Sequence, residues 1–265
     1  MDLEITQMIK PYKTASSPWL VKCNNDDKEK YIVKFSNQNN SFANEFVCYN
    51  IANKISLTTT PSFAVKIEQK AVEIINRRKA QENEPLITEG KYFFSKFVED
   101  PYTLNEEGHN TLKPTEIRNL EQVPGMIVFD VFVDNGNRSH QNALIHPIDK
   151  ESPIFEYVLI DHGHCFSSDG WNANSIKNLQ YTIKPIPWKT TEITNVCAFI
   201  PYIAALDLLD ESFFKKIIEE IPSEWKHVPE DFEALLAFLT SRDSKLVLST
   251  ILQAKNNKQL FPNWK

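Results

Sequence analysis

The sequence predicts an α+β chain in two parts: a small β-rich N-terminal lobe with one helix, and a larger, mainly helical C-terminal lobe. Three observations predict it. Runs of β-branched and aromatic residues, broken by turn residues, fill the first hundred positions. Apolar residues at helical spacing dominate from about residue 192 onward. Between these textures lies a polar connection near 99–101, which divides the chain into 1–99 and 100–265.

The elements follow in order. Residues 18–23 and 31–35 are β-rich, and Asn24-Asn25-Asp26-Asp27 between them is turn chemistry, so the pair reads as a hairpin. Ser41 is placed to N-cap a helix over about 42–55, with Ala43, Val47, Ile51 and Ile55 as its buried stripe. Strand character resumes at 62–67, after Pro61, and again at 91–98. A helical pattern covers 115–133, and short strands are expected at 142–146 and 156–160, with Pro147 and Pro153 between them. Helices are expected at 211–221 and 230–253. Their core stripes are Phe213, Phe214, Ile217 and Ile218, then Leu235, Leu236, Leu239, Leu246, Val247 and Ile251.

Composition excludes several classes of function. The 265 residues carry 29 Lys and Arg against 35 Asp and Glu, a formal charge of −6. An acidic chain lacks the basic surface that phosphate neutralisation on nucleic acid requires. The one basic cluster, Arg77-Arg78-Lys79, reads as a solvated loop or helix face. No apolar run approaches the ~20 residues of a membrane-spanning helix, and Met1-Asp2-Leu3-Glu4 lacks the basic start of a secretory leader. Cys23, Cys48, Cys165 and Cys197 are too widely spaced for a metal site and too few for a disulfide scaffold, which points to a reducing, cytoplasmic compartment. Six glycines, none in the first 89 residues, rule out a Rossmann fingerprint or a Walker-type phosphate loop.

Three segments carry polar groups that folding alone does not require. Lys34 ends the strand Tyr31-Ile-Val-Lys34-Phe and shares a face with Ile32, where a lysine needs a carboxylate or a phosphate; Glu45 lies in the first turn of the next helix. An apolar helix end at Phe129-Asp130 runs into a polar loop, Asp134 to Asn142, built around Gly136. The strand Val158-Leu-Ile delivers Asp161-His162-Gly163, a carboxylate on a rigid element of the kind that suits a metal ligand. Singly, each also fits a surface charge or an ordinary turn.

Together, and in this order, they resemble the HipA-like kinases, atypical members of the protein-kinase-like fold whose catalytic loop is similar to that of phosphatidylinositol kinases. The resemblance covers most of residues 16–166. It rests on Lys34 in its strand, Asn44-Glu45, Pro61, Gly90-Lys-Tyr-Phe-Phe-Ser, Val128-Phe-Asp130, Asn135-x-Asn137-Arg138, Asn142 and Leu159-Ile-Asp161-His-Gly163. It implies a bilobal kinase-like fold and an ATP- and Mg²⁺-dependent kinase acting on protein serine or threonine. Lys34 would bind the α and β phosphates with Glu45 as its partner. Ser16 and Ser17 would lie in the loop over the phosphates. Phe97, Val98 and Glu99 would meet the adenine, and Asn142 and Asp161 would hold the metal. Relatives in toxin–antitoxin systems imply an inhibitory partner protein; no direct contact with nucleic acid or membrane is expected.

One departure is serious. The family loop reads Asn-x-Asp-Arg, with the Asp as catalytic base, and here that position is Asn137, followed by Arg138. An amide can orient a hydroxyl but cannot take its proton. Asp134 and His140 flank the loop as alternative bases, out of register. A second reading therefore stands beside the active kinase: a nucleotide-binding pseudokinase acting as a regulatory or interaction module.

Overall fold

A computed structural model describes residues 3–12, 16–25, 29–99, 102–103, 114–139, 142–148, 154–167, 170–184 and 190–265. Its N-terminal region is a five-stranded antiparallel sheet in the order β1-β2-β3-β5-β4. The strands are β1 (Ile5–Pro11), β2 (Trp19–Cys23), β3 (Lys30–Lys34), β4 (Ser62–Ile67) and β5 (Gly90–Lys96). The expected hairpin is β2 with β3, in register from Trp19↔Val33 to Lys22↔Lys30; Asp26 and Asp27 of its turn lie outside the described residues. The edge strand β1 was not legible in the sequence.

Helix α1 (Ser41–Lys54) buries Ala43, Val47 and Ile51, with Ile55 just beyond its end. Ser41 does not cap it. It is the first helical residue, and the Asn37 side chain accepts the Phe42 amide at 2.9 Å instead. A second helix, α2 (Gln69–Gln81), adds to the one helix expected here. Its buried residues Ala71, Val72 and Ile75 belong to a separate apolar cluster with Trp19, Val21, Val33, Val65 and Phe94. The basic cluster sits on this helix, but Lys79 is not solvated. It is buried, 2.6 Å from Glu84 and 4.9 Å from the centre of the Phe35 ring. Covering the outer face of the sheet forces Lys79 inward, where it needs that carboxylate.

A three-stranded antiparallel sheet follows, in the order β6-β7-β8: Tyr102–Thr103, Ala143–Pro147 and Phe155–Leu159. Pro153 and His140 lie outside the described residues. The helix expected at 115–133 is shorter. Two 3-10 turns precede α3 (Val123–Phe132), whose first turn carries Pro124. Proline suits that first turn, where its missing N–H would have no intrahelical partner.

The remaining helices are α4 (Ile200–Asp207), α5 (Glu211–Glu220), α6 (Pro229–Ser241) and α7 (Ser244–Gln253). The expected helix 230–253 thus breaks in two. Arg242 is extended, and the Asp243 side chain caps α7 by accepting the Lys245 amide at 2.7 Å. The break turns Leu246 outward, so it leaves the stripe at 50% exposure while Val247 and Ile251 remain buried. One large core joins α1, α3, β7, β8 and these helices.

Candidate active site

The site forms where β3, α1, the end of β8 and the loop after α3 converge. Lys34 closes β3, whose neighbours β2 and β5 hold it rigidly. Its Nζ lies 2.6 Å from Glu45 Oε1 on α1 and 2.6 Å from Asp161 Oδ1 beyond β8. Glu45 Oε2 accepts the His162 backbone N–H at 2.9 Å, so one carboxylate spans the lysine and the strand-end loop. Lys34 and Glu45 are buried, whereas the Asp161 side chain is 31% exposed. Asp161 adopts a left-handed backbone (φ 56), unusual for a residue with a side chain and sustained only by its surroundings. A Cβ at Gly163 would stand 3.5 Å from Glu45 Oε1 and 3.8 Å from Lys34 Nζ, ordinary contact distances, so this turn packs directly against the pair.

The charges are unbalanced: one ammonium faces two carboxylates. The Lys34 cation against it holds the Asp161 carboxyl down to about 2. Burial would lower the Lys34 pKa, but the two carboxylates outweigh it and hold the ammonium above its usual range. Burial raises the Glu45 carboxyl against the pull of Lys34.

The loop after α3 is organised around Asp130. Its Oδ1 accepts Asn135 Nδ2 at 2.8 Å, and its Oδ2 lies 3.0 Å from Arg138 Nε. Arg138 is buried and also donates to the carbonyls of Asn142 and Ile160. Its guanidinium therefore ties the loop to the residue before Asp161 and does not face the cleft. In the sequence Asp130 is legible only as part of a motif. The usable signal was an acid inside the apolar run Phe129-Asp130-Val131, which demands a buried cation. Asn137 is half-buried, and its carbonyl accepts Asn142 Nδ2 at 2.8 Å. That bond holds the Asn142 amide by its nitrogen, so the oxygen is the atom with the capacity to ligate a cation. Asp134 accepts the Thr182 hydroxyl at 2.9 Å and is committed there. His162 is buried edge-on to Phe129, and burial together with the Arg138 cation hold its imidazole well below the usual 6.5.

Phe97, Val98 and Glu99 line a cleft of about 410 Å³, with Thr58–Pro61 opposite and Val158 of β8 beneath. His146 also lines it and donates through Nδ1 to the Glu99 carbonyl at 3.1 Å, a contact with no signal in the sequence. Thr59 Oγ1 donates to the Leu159 carbonyl at 3.0 Å, joining the cleft wall to the strand that delivers Asp161. Ser16 and Ser17 precede β2, and the Tyr12 amide closes the base of their loop on the Pro18 carbonyl at 2.8 Å. The middle of that loop, 13–15, lies outside the described residues.

The residues present fit a hydrated divalent cation. Among the described residues no cluster of three or more His, Cys, Asp or Glu could cage a metal. One carboxylate, Asp161, and one amide oxygen, Asn142, suit a magnesium ion that draws its other ligands from water and phosphate.

Known structures share the fold. The chain is similar to the Helicobacter pylori proinflammatory kinase CtkA, at 14% identity and TM-score 0.57, over 96% of this chain and 98% of that one. It is similar to hydra Fam20, solved with sugar, at 10% identity and TM-score 0.55, over 98% of this chain and 89% of that one. No curated protein matches it. The family model described as HipA-like kinase matches residues 5–259, nearly the whole length. This kinase-like protein therefore belongs to the HipA-like kinase family.

Proposed function

We propose that the chain is an ATP-dependent kinase that transfers the γ-phosphate of Mg-ATP to a serine or threonine hydroxyl of a protein. The observation that carries the reading is the buried Lys34 bridging Glu45 and Asp161 at 2.6 Å each. Such a lysine is held charged and aimed, and an ammonium has three donors, so one beyond these two contacts serves a phosphate oxygen. Phe97, Val98 and Glu99 would receive the adenine in the cleft they line, and the loop of Ser16 and Ser17 would close over the phosphates. Asp161 and the Asn142 oxygen would hold Mg²⁺, which bridges phosphate oxygens and screens developing charge. Asn137 orients the acceptor hydroxyl. Arg138 is a positioning residue here, since its buried ion pair with Asp130 sets the loop rather than touching substrate.

The second reading, a nucleotide-binding pseudokinase, is favoured by the amide at 137 and by the engagement of Asp134 with Thr182. Positioning and charge supply most of phosphoryl-transfer catalysis, so an absent base weakens transfer without abolishing it. Intact mass after incubation with Mg-ATP separates the two. Asn137→Asp should raise the rate of phosphate gain by about 10²–10⁴-fold, and mapping the modified side chains checks the serine or threonine assignment. ATP binding with no phosphate gain in either protein would shift the weight to the pseudokinase, since a kinase need not phosphorylate itself. A toxin-type role in the cytoplasm, under an inhibitory partner protein, completes the proposal. Growth arrest on expression that Lys34→Met relieves would support it.

A further inference from the structure

We infer that Asn44 is a positioning residue that builds the Asp161 loop onto α1, with Trp171 as its partner. Asn44 is fully buried, one residue before Glu45. Its Nδ2 donates to the carbonyls of Gly163 at 2.8 Å and Cys165 at 3.0 Å. Its Oδ1 accepts Trp171 Nε1 at 2.7 Å. Trp171 in turn packs edge-on against Phe232 of α6, with ring centroids 5.6 Å apart. A buried amide is costly unless satisfied, and an apolar residue would fill this position with less risk. The three bonds all go to the segment that follows Asp161.

Adjacent residues of α1 thus hold the backbone of three nearby positions: Glu45 takes the His162 amide, and Asn44 takes the carbonyls of 163 and 165. Asp161 sits immediately before these anchors in its left-handed conformation. The direction of its carboxylate is set by these α1 anchors together with the Lys34 contact at 2.6 Å. The functional half of this inference rests on Asp161 as a metal ligand; the structural half does not.

The test uses the full chain in two measurements. In the metal-free, nucleotide-free protein, Asn44→Ala should speed hydrogen exchange at residues 162–166 and leave β2 and β3 unchanged. By calorimetry, ATP affinity in EDTA should persist in the variant. The extra affinity conferred by Mg²⁺ should fall by about 10–100-fold, the usual effect of removing a group that orients a metal ligand. Ile51→Ala, a core change on α1 away from the loop, is the control for lost stability. Unchanged exchange at 162–166 in Asn44→Ala, or equal loosening of that segment by Ile51→Ala, overturns the proposal. If Asn44→Ala does not fold, Trp171→Phe removes one bond and keeps the ring. It should shift both readouts the same way by less, and unchanged exchange there also overturns the proposal. A wild-type chain that binds no ATP sinks the kinase reading, while the exchange comparison still judges Asn44.

Discussion

Lys34 and Lys79 are both buried in the N-terminal region, and each has a carboxylate at 2.6 Å. They differ in what surrounds that pair. Lys79 meets Glu84, close in sequence, and Trp19 Nε1 donates to the same carboxylate oxygen at 2.7 Å. One cation and one anion close on each other under α2. Lys34 meets two carboxylates from separate elements, and the second is partly open to solvent. Burial of charge does not by itself mark a functional site. A surplus of one sign held rigidly where separate elements converge makes a stronger candidate, because an incoming ligand or cation would balance it.

The largest effect is expected at Lys34. Lys34→Met strands two carboxylates, and removing one partner from a buried pair destabilises by about 3–5 kcal/mol. Denaturant melts should show that loss, and intact mass should show phosphate gain falling on the order of 10²–10³-fold. Full transfer by this variant would erase the distinction between the two lysines.

Acid should act next on the Lys34 site. Asp161 is held from 3.8 down to about 2, so its contribution to stability is complete above the ordinary value and is lost as pH falls toward 2. His162 is held well below 6.5, so on acidification the unfolded chain takes up a proton that the folded one refuses, and stability declines from about pH 6.5 downward. Unfolding free energy measured against pH should show both phases. His162→Phe should remove the upper phase and keep the lower one; an upper phase that persists would assign it to another group.

The smallest effect is expected at the closed pair. Lys79→Met combined with Glu84→Gln keeps an acceptor for Trp19 and removes both charges together. Stability should move by less than about 2 kcal/mol, since apolar replacements of buried pairs are often neutral. ATP affinity should stay within about twofold of wild type, within the independence of distant sites. A large loss of affinity would make Lys79 part of the site.

Much of the fold was legible where the signal is local. The strand 62–67 matches its observed limits, the β2–β3 hairpin follows from two β-rich runs around turn residues, and α1 from four-residue apolar spacing. Helix α2 escaped because its apolar stripe, Ala71, Val72 and Ile75, is short and ends on Lys79 in a strongly polar run. The break after Ser241 escaped because apolar spacing continues across it, while an aspartate cap decides the boundary. In the candidate site, Lys34, Glu45, Asn142 and Asp161 were legible as an ordered set. His146 and Trp171 were not, because their significance lies in partners distant in sequence; Asp130 was legible only as part of a motif, although its partners Asn135 and Arg138 are local.

The sequence by itself determined which rigid elements carry chemistry: a strand ending on Lys34, a strand delivering Asp161, and an amide at 137 five positions before Asn142. These follow from side-chain alternation and residue type, which are properties of neighbouring positions. Only the tertiary structure decided that Lys34 meets both a carboxylate 11 residues away and one 127 residues away, that Asp161 takes a left-handed backbone, and that Lys79 is buried while Leu246 is not. The physical reason is that closing a longer loop adds only a slowly growing entropic cost. Separation along the chain therefore does not select partners, and the packing of whole elements against one another does.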